Sequence, residues 1–520
     1  MHDLLADRLA RASRHLLSKL TADEAGSGQC FRSLTRGRAL ETALTLHLLK
    51  REDIEHPWQQ QLRAWLEAHL GEADPFTRLL GCKVLGRPAD TSAQSAVDAM
   101  VGQVEYARER KEQLLQVLLA EVGLYPADSL PLRVGSALPP SSHRFAQIYA
   151  AGTRVMRARH RGLSVMALPE SRWLRNFQHV NGGWEAQGLT TLVALLGLGR
   201  DAPESFERGL RYLGRSQRED GGIPFCDITV FTTAIAGLAL LEAPSPRVPD
   251  PVIDYLVARQ ALDGGWCCTD DVAQTDVDTT TQALQLLVQV APQRCQATVE
   301  RAQHYLLGLQ RPDGGWPTYL REGDSEVTMT ANAVLSLSLG LSRARHLRAP
   351  IQRGLRLLVS RQRADGTFER SWSCSETYSM FRVLWASKVA RTTGALDAMK
   401  AEDLGRMSRR AVAYLHATQR EDGSWGQRAG LPGDVLSTAY AVACLCLTDQ
   451  RERVGRAARF LLSRQTEDGG FLAEPDMVGP RPFLYDDPLL GTLFCVIALG
   501  MVAHKQAAAH LDDRSEVAAV

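Results

Sequence analysis

Residues 259–290 read RQALDGGWCCTDDVAQTDVDTTTQALQLLVQV. A turn signal, Gln260 to Trp266, passes over a short loop into an acidic cluster, Asp276-Val277-Asp278-Thr279-Thr280. An apolar helical pattern follows at once, with Ala283, Leu284, Leu287 and Val288 at i, i+1, i+4 and i+5. The turn is one of a set. Glutamine, a short gap, Asp or Asn, Gly and a bulky residue recur at Gln178–Trp184, Gln217–Ile223, Gln260–Trp266, Gln310–Trp316, Gln362–Phe368, Gln419–Trp425 and Gln465–Phe471. These seven copies stand 39 to 57 residues apart. A period in this range marks supersecondary units, stacked or arranged in a circle, none of which buries its apolar face alone. Strand signals are weak throughout, so the pattern predicts an all-α chain with helices in two layers, as an open solenoid or a closed α/α barrel. Within each turn the Gly residues permit the backbone reversal, and the Gln can bond exposed peptide groups and pack on the ring that follows. The turns therefore read as structural staples between helix pairs.

The copies also serve as an internal control for the acids. The helices behind five turns open as DITVFTTA at 227, DVDTTTQA at 276, EVTMTANA at 326, SETYSMFRV at 375 and DVLSTAYA at 434. An acid recurs at the first place: Asp227, Asp276, Glu326, Glu376, Asp434. A capping role explains that column, because an acid at a helix N-terminus meets free N–H groups and the positive end of the dipole. The third place reads Thr229, Asp278, Thr328, Tyr378, Leu436. Only Asp278 puts a carboxyl there, and a structural repeat gives no reason for it.

At 520 residues the length suggests two or more domains. With 60 basic against 59 acidic residues the net charge is +1, which gives no sign of a nucleic-acid partner. The ten cysteines show no zinc or redox spacing; with no signal peptide they read as reduced, mostly buried thiols of a cytoplasmic protein. No run of 18 apolar residues predicts a membrane span. Residues 1–20 form an amphipathic helix with Leu4, Leu5, Leu9, Leu16 and Leu17 largely on one side, better suited to docking on another domain than on a membrane. Helical patterns without the turns fill about 33 to 165, and a Pro-rich loop, 137–142, interrupts them. EAPSPRVPDP at 242–251 is the most obvious boundary. HKQAAAHLDDRSEVAAV reads as a frayed tail.

The Gln-x-x-Asp-Gly-Gly-Trp turns and the Asp-x-Asp-Thr-Thr run together resemble the class II terpene cyclases and squalene–hopene cyclases, over most of residues 170 to 500. The turn alone would also admit protein prenyltransferase β-subunits, which share the barrel, but no zinc site of Asp-x-Cys with a distant His is found. The resemblance implies two α/α barrels: a γ-type domain over 30–244 and a β-type domain over 245–505 that carries the acid, with helix 1–20 packed on the latter and 506–520 as tail. It assigns alkene protonation to Asp278, with Asp276 as its motif partner and Thr279 and Thr280 in support. Thr279 departs from the Asp common at that place and resembles the variant of the bacterial drimenyl diphosphate synthases. Asn332 stands where squalene cyclases carry a His bonded to the catalytic acid; it reads either as a group orienting Asp278 or holding a water, or as a helix-face amide satisfied by backbone.

This chemistry agrees with the residues. Alkene protonation needs a carboxyl kept neutral by burial and a nearby like charge, and a cavity that shelters the cation from water. At a helix N-terminus the first Asp can cap while the second points into a cavity; the alternative is a double cap with Thr279 and Gln282. Trp316, Tyr319, Trp372, Tyr378, Trp385, Tyr440, Phe483 and Tyr485 are candidate ring faces for carbocations, with core packing as the alternative. No Asp-Asp-x-x-Asp with a metal triad supports ionisation chemistry. The expected substrate is a linear prenyl diphosphate, farnesyl diphosphate first, cyclised to a drimenyl-type diphosphate; geranylgeranyl diphosphate giving a copalyl-type product is the alternative, then squalene. Magnesium is expected to screen the diphosphate, and the protein to be a monomer or homodimer. A helical-repeat interaction protein is the non-enzyme alternative, and it has no use for Asp278.

Overall fold

The computed structural model describes residues 2–103, 108–130, 142–396 and 398–518. Six helices in it form a closed inner ring: Thr229–Leu241, Val277–Val290, Val327–Leu339, Glu376–Thr392, Val435–Leu447 and Leu490–Ala518, the first to sixth inner helices. Each packs on its successor, and the sixth packs back on the first. Outer helices Asp250–Ala258, Gln296–Leu309, Arg348–Ser360, Ala398–Thr418 and Arg451–Ser463 alternate with them, and His2–Ser18 covers the sixth. The architecture is thus a closed α/α barrel. Its layers follow from composition. Inner helices such as Val327–Leu339 and Val435–Leu447 carry no charged residue and bury nearly every residue, as core helices do. The outer helix Arg348–Ser360 buries one stripe, Ile351, Leu355 and Leu358 among it, and turns its arginines outward.

The turns fasten this ring by a repeated set of bonds. Gln260 Nε2 donates to Gly264 O at 2.9 Å within its turn and to Thr298 O at 2.8 Å on the next outer helix. Gln310 repeats this with Gly314 O and Pro350 O, both at 2.9 Å. Trp266 Nε1 donates to Leu256 O at 2.7 Å, and its backbone N–H donates to Thr280 Oγ1 at 2.9 Å. Gly264 has φ of 91°, and a Cβ there would meet Arg301 O at 2.5 Å, so glycine is required by conformation and by close approach alike. Gln465 bonds Gly469 O and Arg8 O, both at 2.9 Å. His2–Ser18 therefore takes the place of the sixth outer helix, with Leu5, Leu9, Ala12 and Leu16 buried.

A second, smaller ring runs through Ala39–Arg51, Pro75–Leu85, Ala93–Val101, Arg108–Glu121, Arg144–His160 and Gly188–Leu198, the last packing on the first. Two short antiparallel ribbons, Leu20–Ala22 with Gln29–Phe31 and Met477–Val478 with Leu484–Tyr485, are the strands among the described residues.

Two sequence expectations are corrected here. The stretch 242–251, expected to divide domains at 244/245, joins the first inner helix to its outer neighbour, so the larger ring begins ahead of Thr229. Its prolines open a helix: Pro249 is the N-cap and Pro251 lies in the first turn of Asp250–Ala258. The expected tail, 506–520, continues the sixth inner helix to Ala518, because its alanines are good helix formers. Of the Pro-rich loop, residues 137–141 lie outside the described residues. The window Leu490–Ala507 is long and apolar enough to cross a membrane by composition alone, but 72% of it is buried as the sixth inner helix. All ten cysteines are free thiols.

Candidate active site

The acid motif opens the second inner helix. Asp276 is the N-cap in extended conformation, its Oδ1 accepting the Thr279 N–H at 2.6 Å and its Oδ2 the Thr279 hydroxyl at 3.0 Å. Asp278, two residues on, is left to face elsewhere. The loop that delivers this helix is held from the smaller ring, where buried Glu185 accepts the N–H groups of Ala273 and Gln274 at 2.9 and 3.1 Å. The other acids of the first-place column divide. Asp434 caps, accepting the Ser437 N–H at 2.7 Å. The expectation that Asp227, Glu326 and Glu376 cap is corrected: Asp227 pairs with Arg218 and Thr35, Glu376 accepts the Tyr414 hydroxyl, and Glu326 accepts from Thr318, Ser371 and Arg481. Asp227 lies ahead of the N-cap Ile228, and the longer Glu326 and Glu376 side chains reach past the helix end to other partners.

Asp278 Oδ1 accepts from Asn332 Nδ2 at 2.9 Å and from Gln282 Nε2 at 3.3 Å. Asn332 is fully buried, and its Oδ1 accepts the Nε–H of Arg382. Both faces of that amide are therefore committed to orienting the acid. Burial, chiefly, raises the pKa of Asp278, against the lowering pull of Gln282, Arg382 and Asn332. Burial and the neighbouring Asp278 charge push Asp276 up to about 7, against the Thr279 bonds. The two carboxyls are thus held towards the neutral form, the condition for a strong acid that keeps its proton until needed.

Asp276, Asp278 and Thr279 line a cavity of about 650 Å³, within the range of ordinary small-molecule sites. Its walls come from both rings: Phe145, Tyr149 and Gln187 from the smaller, and Phe231, Tyr319, Trp372 and Tyr485 from the larger and its loops. The rings of Phe145, His143, Tyr319 and Trp372 form a connected series, with Tyr319 5.5 Å from Phe145, 4.6 Å from His143 and 6.0 Å from Trp372. Of the aromatic residues expected in a pocket, Tyr319, Trp372 and Tyr485 line this cavity. The other five are corrected to packing roles. Trp316 is a staple bonded to Leu306 O; Tyr378 and Tyr440 pack with Phe494 inside the ring. Trp385 lies against Arg382, and Phe483 against Phe76 and Arg38. Thr280 likewise serves the turn, bonded to Trp266. Most inner-helix positions are buried whichever way they face, so sequence cannot tell a ring that faces the cavity from one that fills the barrel.

The cavity also gathers cations that sequence reasoning missed. Arg110 and Lys111 of helix Arg108–Glu121 line it together with Arg481 and His143. Arg481 pairs with Glu326 at 3.3 Å and lies 4.8 Å over the Trp372 ring. Among the described residues no carboxylate pairs with Arg110 or Lys111. Burial and the like charges of Arg481 and Arg110 hold Lys111 well below the usual lysine range, a strain that a bound anion would relieve. His143, pushed down to about 3 by burial and these cations, is neutral. Its Nδ1 accepts the Ala146 N–H at 3.3 Å, so Nε2 carries the proton as a further donor. In sequence Arg110 and Lys111 sit within a charged run, RERKEQ, where nothing marks them from a solvated face. For magnesium, no three His, Cys, Asp or Glu side chains among the described residues gather into a metal site. The exposed Glu322 and Asp324 line the same cavity, and two carboxylates suit magnesium when phosphate oxygens and water complete its shell.

Residues 226–376, 281–476 and 351–514 match the prenyltransferase alpha-alpha toroid domain. A toroid whose inner helix turns a carboxyl into a cavity shared with a second ring is the design of the class II terpene cyclases, and this chain is one of them. It is 37% identical over 486 residues to drimenyl diphosphate synthase of Streptomyces showdoensis, with 89% of each chain covered. It is 31% identical over 519 residues to drimenyl diphosphate synthase of Streptantibioticus cattleyicolor, with 95% of each covered. The chain belongs to the drimenyl diphosphate synthase family. Its fold is also that of an ent-copalyl diphosphate synthase from Streptomyces platensis, with a TM-score of 0.61 at 19% identity, covering 96% of this chain and 99% of that one.

Proposed function

We propose that this chain cyclises farnesyl diphosphate to drimenyl diphosphate, with the diphosphate retained. One observation carries the reading: the cavity that takes in Asp278 also holds Arg110 and Lys111, cations that no carboxylate of the described residues balances. A substrate with an alkene at one end and a diphosphate at the other satisfies both. The proton of Asp278 adds to the distal alkene, whose π pair becomes the new C–H bond and leaves a tertiary cation. Two further alkene π pairs close two rings in turn. Loss of a proton from the last cation restores an alkene, so the overall change is an isomerisation, and the allylic C–O bond is never touched. Tyr319, Trp372 and Tyr485 offer ring faces to the moving positive charge, and the enclosed walls keep water from trapping it. Arg110, Lys111, Arg481 and the His143 Nε2–H would hold the diphosphate. Glu322 and Asp324 would hold magnesium, which would supply charge screening for the diphosphate; chelation should then raise KM for the diphosphate.

The test is to incubate the purified protein with farnesyl diphosphate, geranylgeranyl diphosphate and squalene, and to identify products before and after phosphatase. A bicyclic C15 alcohol that appears only after phosphatase treatment of the farnesyl incubation is expected. Pyrophosphate released in step with cyclisation would overturn the reading, and turnover of squalene alone would do so too. A preference for geranylgeranyl diphosphate would move the substrate to C20, a difference of a few methylenes that a pocket discriminates by only about 1–3 kcal/mol. Asp278→Asn should lower turnover by at least about 100-fold, with circular dichroism unchanged.

A further inference from the structure

Arg382 lies on the fourth inner helix with a relative exposure of 2%. A buried guanidinium ordinarily sits against a carboxylate, yet no carboxylate among the described residues forms an ion pair with this one. It bonds amides instead: Nε–H to Asn332 Oδ1, and Nη2–H to the Oε1 atoms of Gln282 at 3.3 Å and Gln285 at 3.4 Å. Phe381 and Trp385 add ring contacts at 5.7 and 5.3 Å. Two of those amides, Asn332 and Gln282, turn their NH₂ groups to one and the same atom, Asp278 Oδ1. A guanidinium cannot accept a hydrogen bond, so the amide oxygens must face Arg382 and the amide nitrogens must face Asp278. The bonding leaves no freedom to flip. Because Oδ1 receives two N–H groups, the carboxyl proton belongs on Oδ2.

We infer that Arg382 is a positioning residue that sets the acid strength of Asp278, holding two parallel amide arms on Oδ1 and stabilising the carboxylate left behind when the proton departs from Oδ2. The inference rests on Asp278 being the proton donor, as proposed above. It does not require Arg382 to touch substrate, and Arg382 is not among the residues lining the cavity. Positive charge relayed through polarised amides favours the ionised acid. The proton is thereby easier to give, while burial keeps it in place beforehand.

The ionisable groups around the pair come from several elements. Glu326 begins the third inner helix, and Tyr378 shares the fourth with Arg382. Tyr305 of the neighbouring outer helix, with Tyr319, Cys267 and Cys268 of the loops, face Asp276, and Tyr440 of the fifth inner helix faces Arg382. The first inner helix contributes none. Burial raises the four tyrosines and the two cysteines far above neutrality. An alkaline limb in the turnover profile therefore belongs to the carboxyls, and to Asp276 and Asp278 as a coupled pair.

The experiment compares pH profiles of kcat and KM for wild type, Arg382→Met, Arg382→Lys and Asp278→Asn with farnesyl diphosphate. Turnover needs a protonated acid, so kcat falls as pH rises through the pair. Without Arg382 the acid holds its proton more tightly: the limb should move to higher pH, while the low-pH plateau drops by about tenfold or more because the acid is weaker. KM should change less than twofold. Arg382→Lys keeps the charge but not the planar fork that reaches Asn332, Gln282 and Gln285 together, and should show both changes to a smaller extent; it decides alone if Arg382→Met does not fold. A wild-type plateau with a wild-type limb overturns the inference, and so does a lowered plateau with the limb unmoved or shifted to lower pH, which is what loosened packing gives. Turnover by Asp278→Asn would overturn the acid itself, whereas an inactive Asp278→Asn beside an unaltered Arg382→Met would overturn only the role of Arg382.

Discussion

Asp276 and Asp278 are the same residue type two places apart, and a helix N-terminus gives them different work. The extended backbone at Asp276 aims its carboxyl at the free N–H groups, while Asp278, already inside the first turn, projects sideways into the cavity. Asp276 has a measurable consequence for stability. Its pKa is raised from 3.8 to about 7 in the folded protein, so between those values the native state binds more protons than the unfolded chain. Stability contributed by this group therefore falls as pH rises through that window, by about 1.4 kcal/mol per unit at most. Asp276→Asn keeps a capping side chain but cannot ionise. Denaturation midpoints should thus drop less between pH 5 and about pH 8 in the variant than in wild type; an identical pH slope would show that Asp276 is not the group responsible. Asp278 was legible in the sequence because the repeat supplied a column of non-acids to set it against. Arg382 stood in an equally telling column, since the seventh place reads Thr233, Gln282, Asn332, Arg382, Tyr440. What could not be read there is direction: on a helix buried all round, sequence does not say which neighbours a side chain meets.

At the scale of elements, the seven turns made the helical alternation readable, because each carries its own chemistry for reversal and fastening. Ring closure was not readable. The inner ring closes where the sixth inner helix packs back on the first, and the outer layer closes where His2–Ser18 returns across the length of the chain to accept Gln465; an open solenoid has the same local signals. The proline-rich stretch misled for a related reason: proline starts helices as readily as it marks linkers, and only packing distinguishes the two. Gln465 gives a direct test of closure. Gln465→Ala leaves the Arg8 and Gly469 carbonyls without this partner, which should cost about 1–3 kcal/mol. Limited proteolysis should then cut within residues 1–18 ahead of the rest of the barrel, while turnover at low temperature stays near wild type. Equal protection of the N-terminal helix in both proteins would mean that its buried leucines alone hold it.

At the scale of the whole molecule, the site exists because two rings meet. The larger ring supplies the acid and most of the aromatic wall; the smaller supplies Arg110, Lys111, His143 and the buried Glu185 that steadies the loop before Asp276. Neither ring alone encloses a substrate that must be protonated at one end and gripped at the other. This division predicts how kinetic effects should separate. Arg110→Ala and Lys111→Ala each remove a cation that would bond diphosphate oxygens, a charge-assisted contact worth about 1.5–3 kcal/mol. KM for farnesyl diphosphate should rise roughly 10- to 100-fold in each, and the KM of wild type should itself rise with salt, more steeply than that of either variant. Because the diphosphate is a spectator to bond making, kcat should fall much less than in Asp278→Asn. Kinetics across ionic strength would check both claims. Unchanged KM in the two variants would place the diphosphate elsewhere, and a loss confined to kcat would mean that these cations act on the chemistry rather than on the grip. The expected opposite pattern, KM moved from the smaller ring and kcat moved from the larger, is what a two-ring cyclase requires if one ring holds the substrate still while the other attacks it.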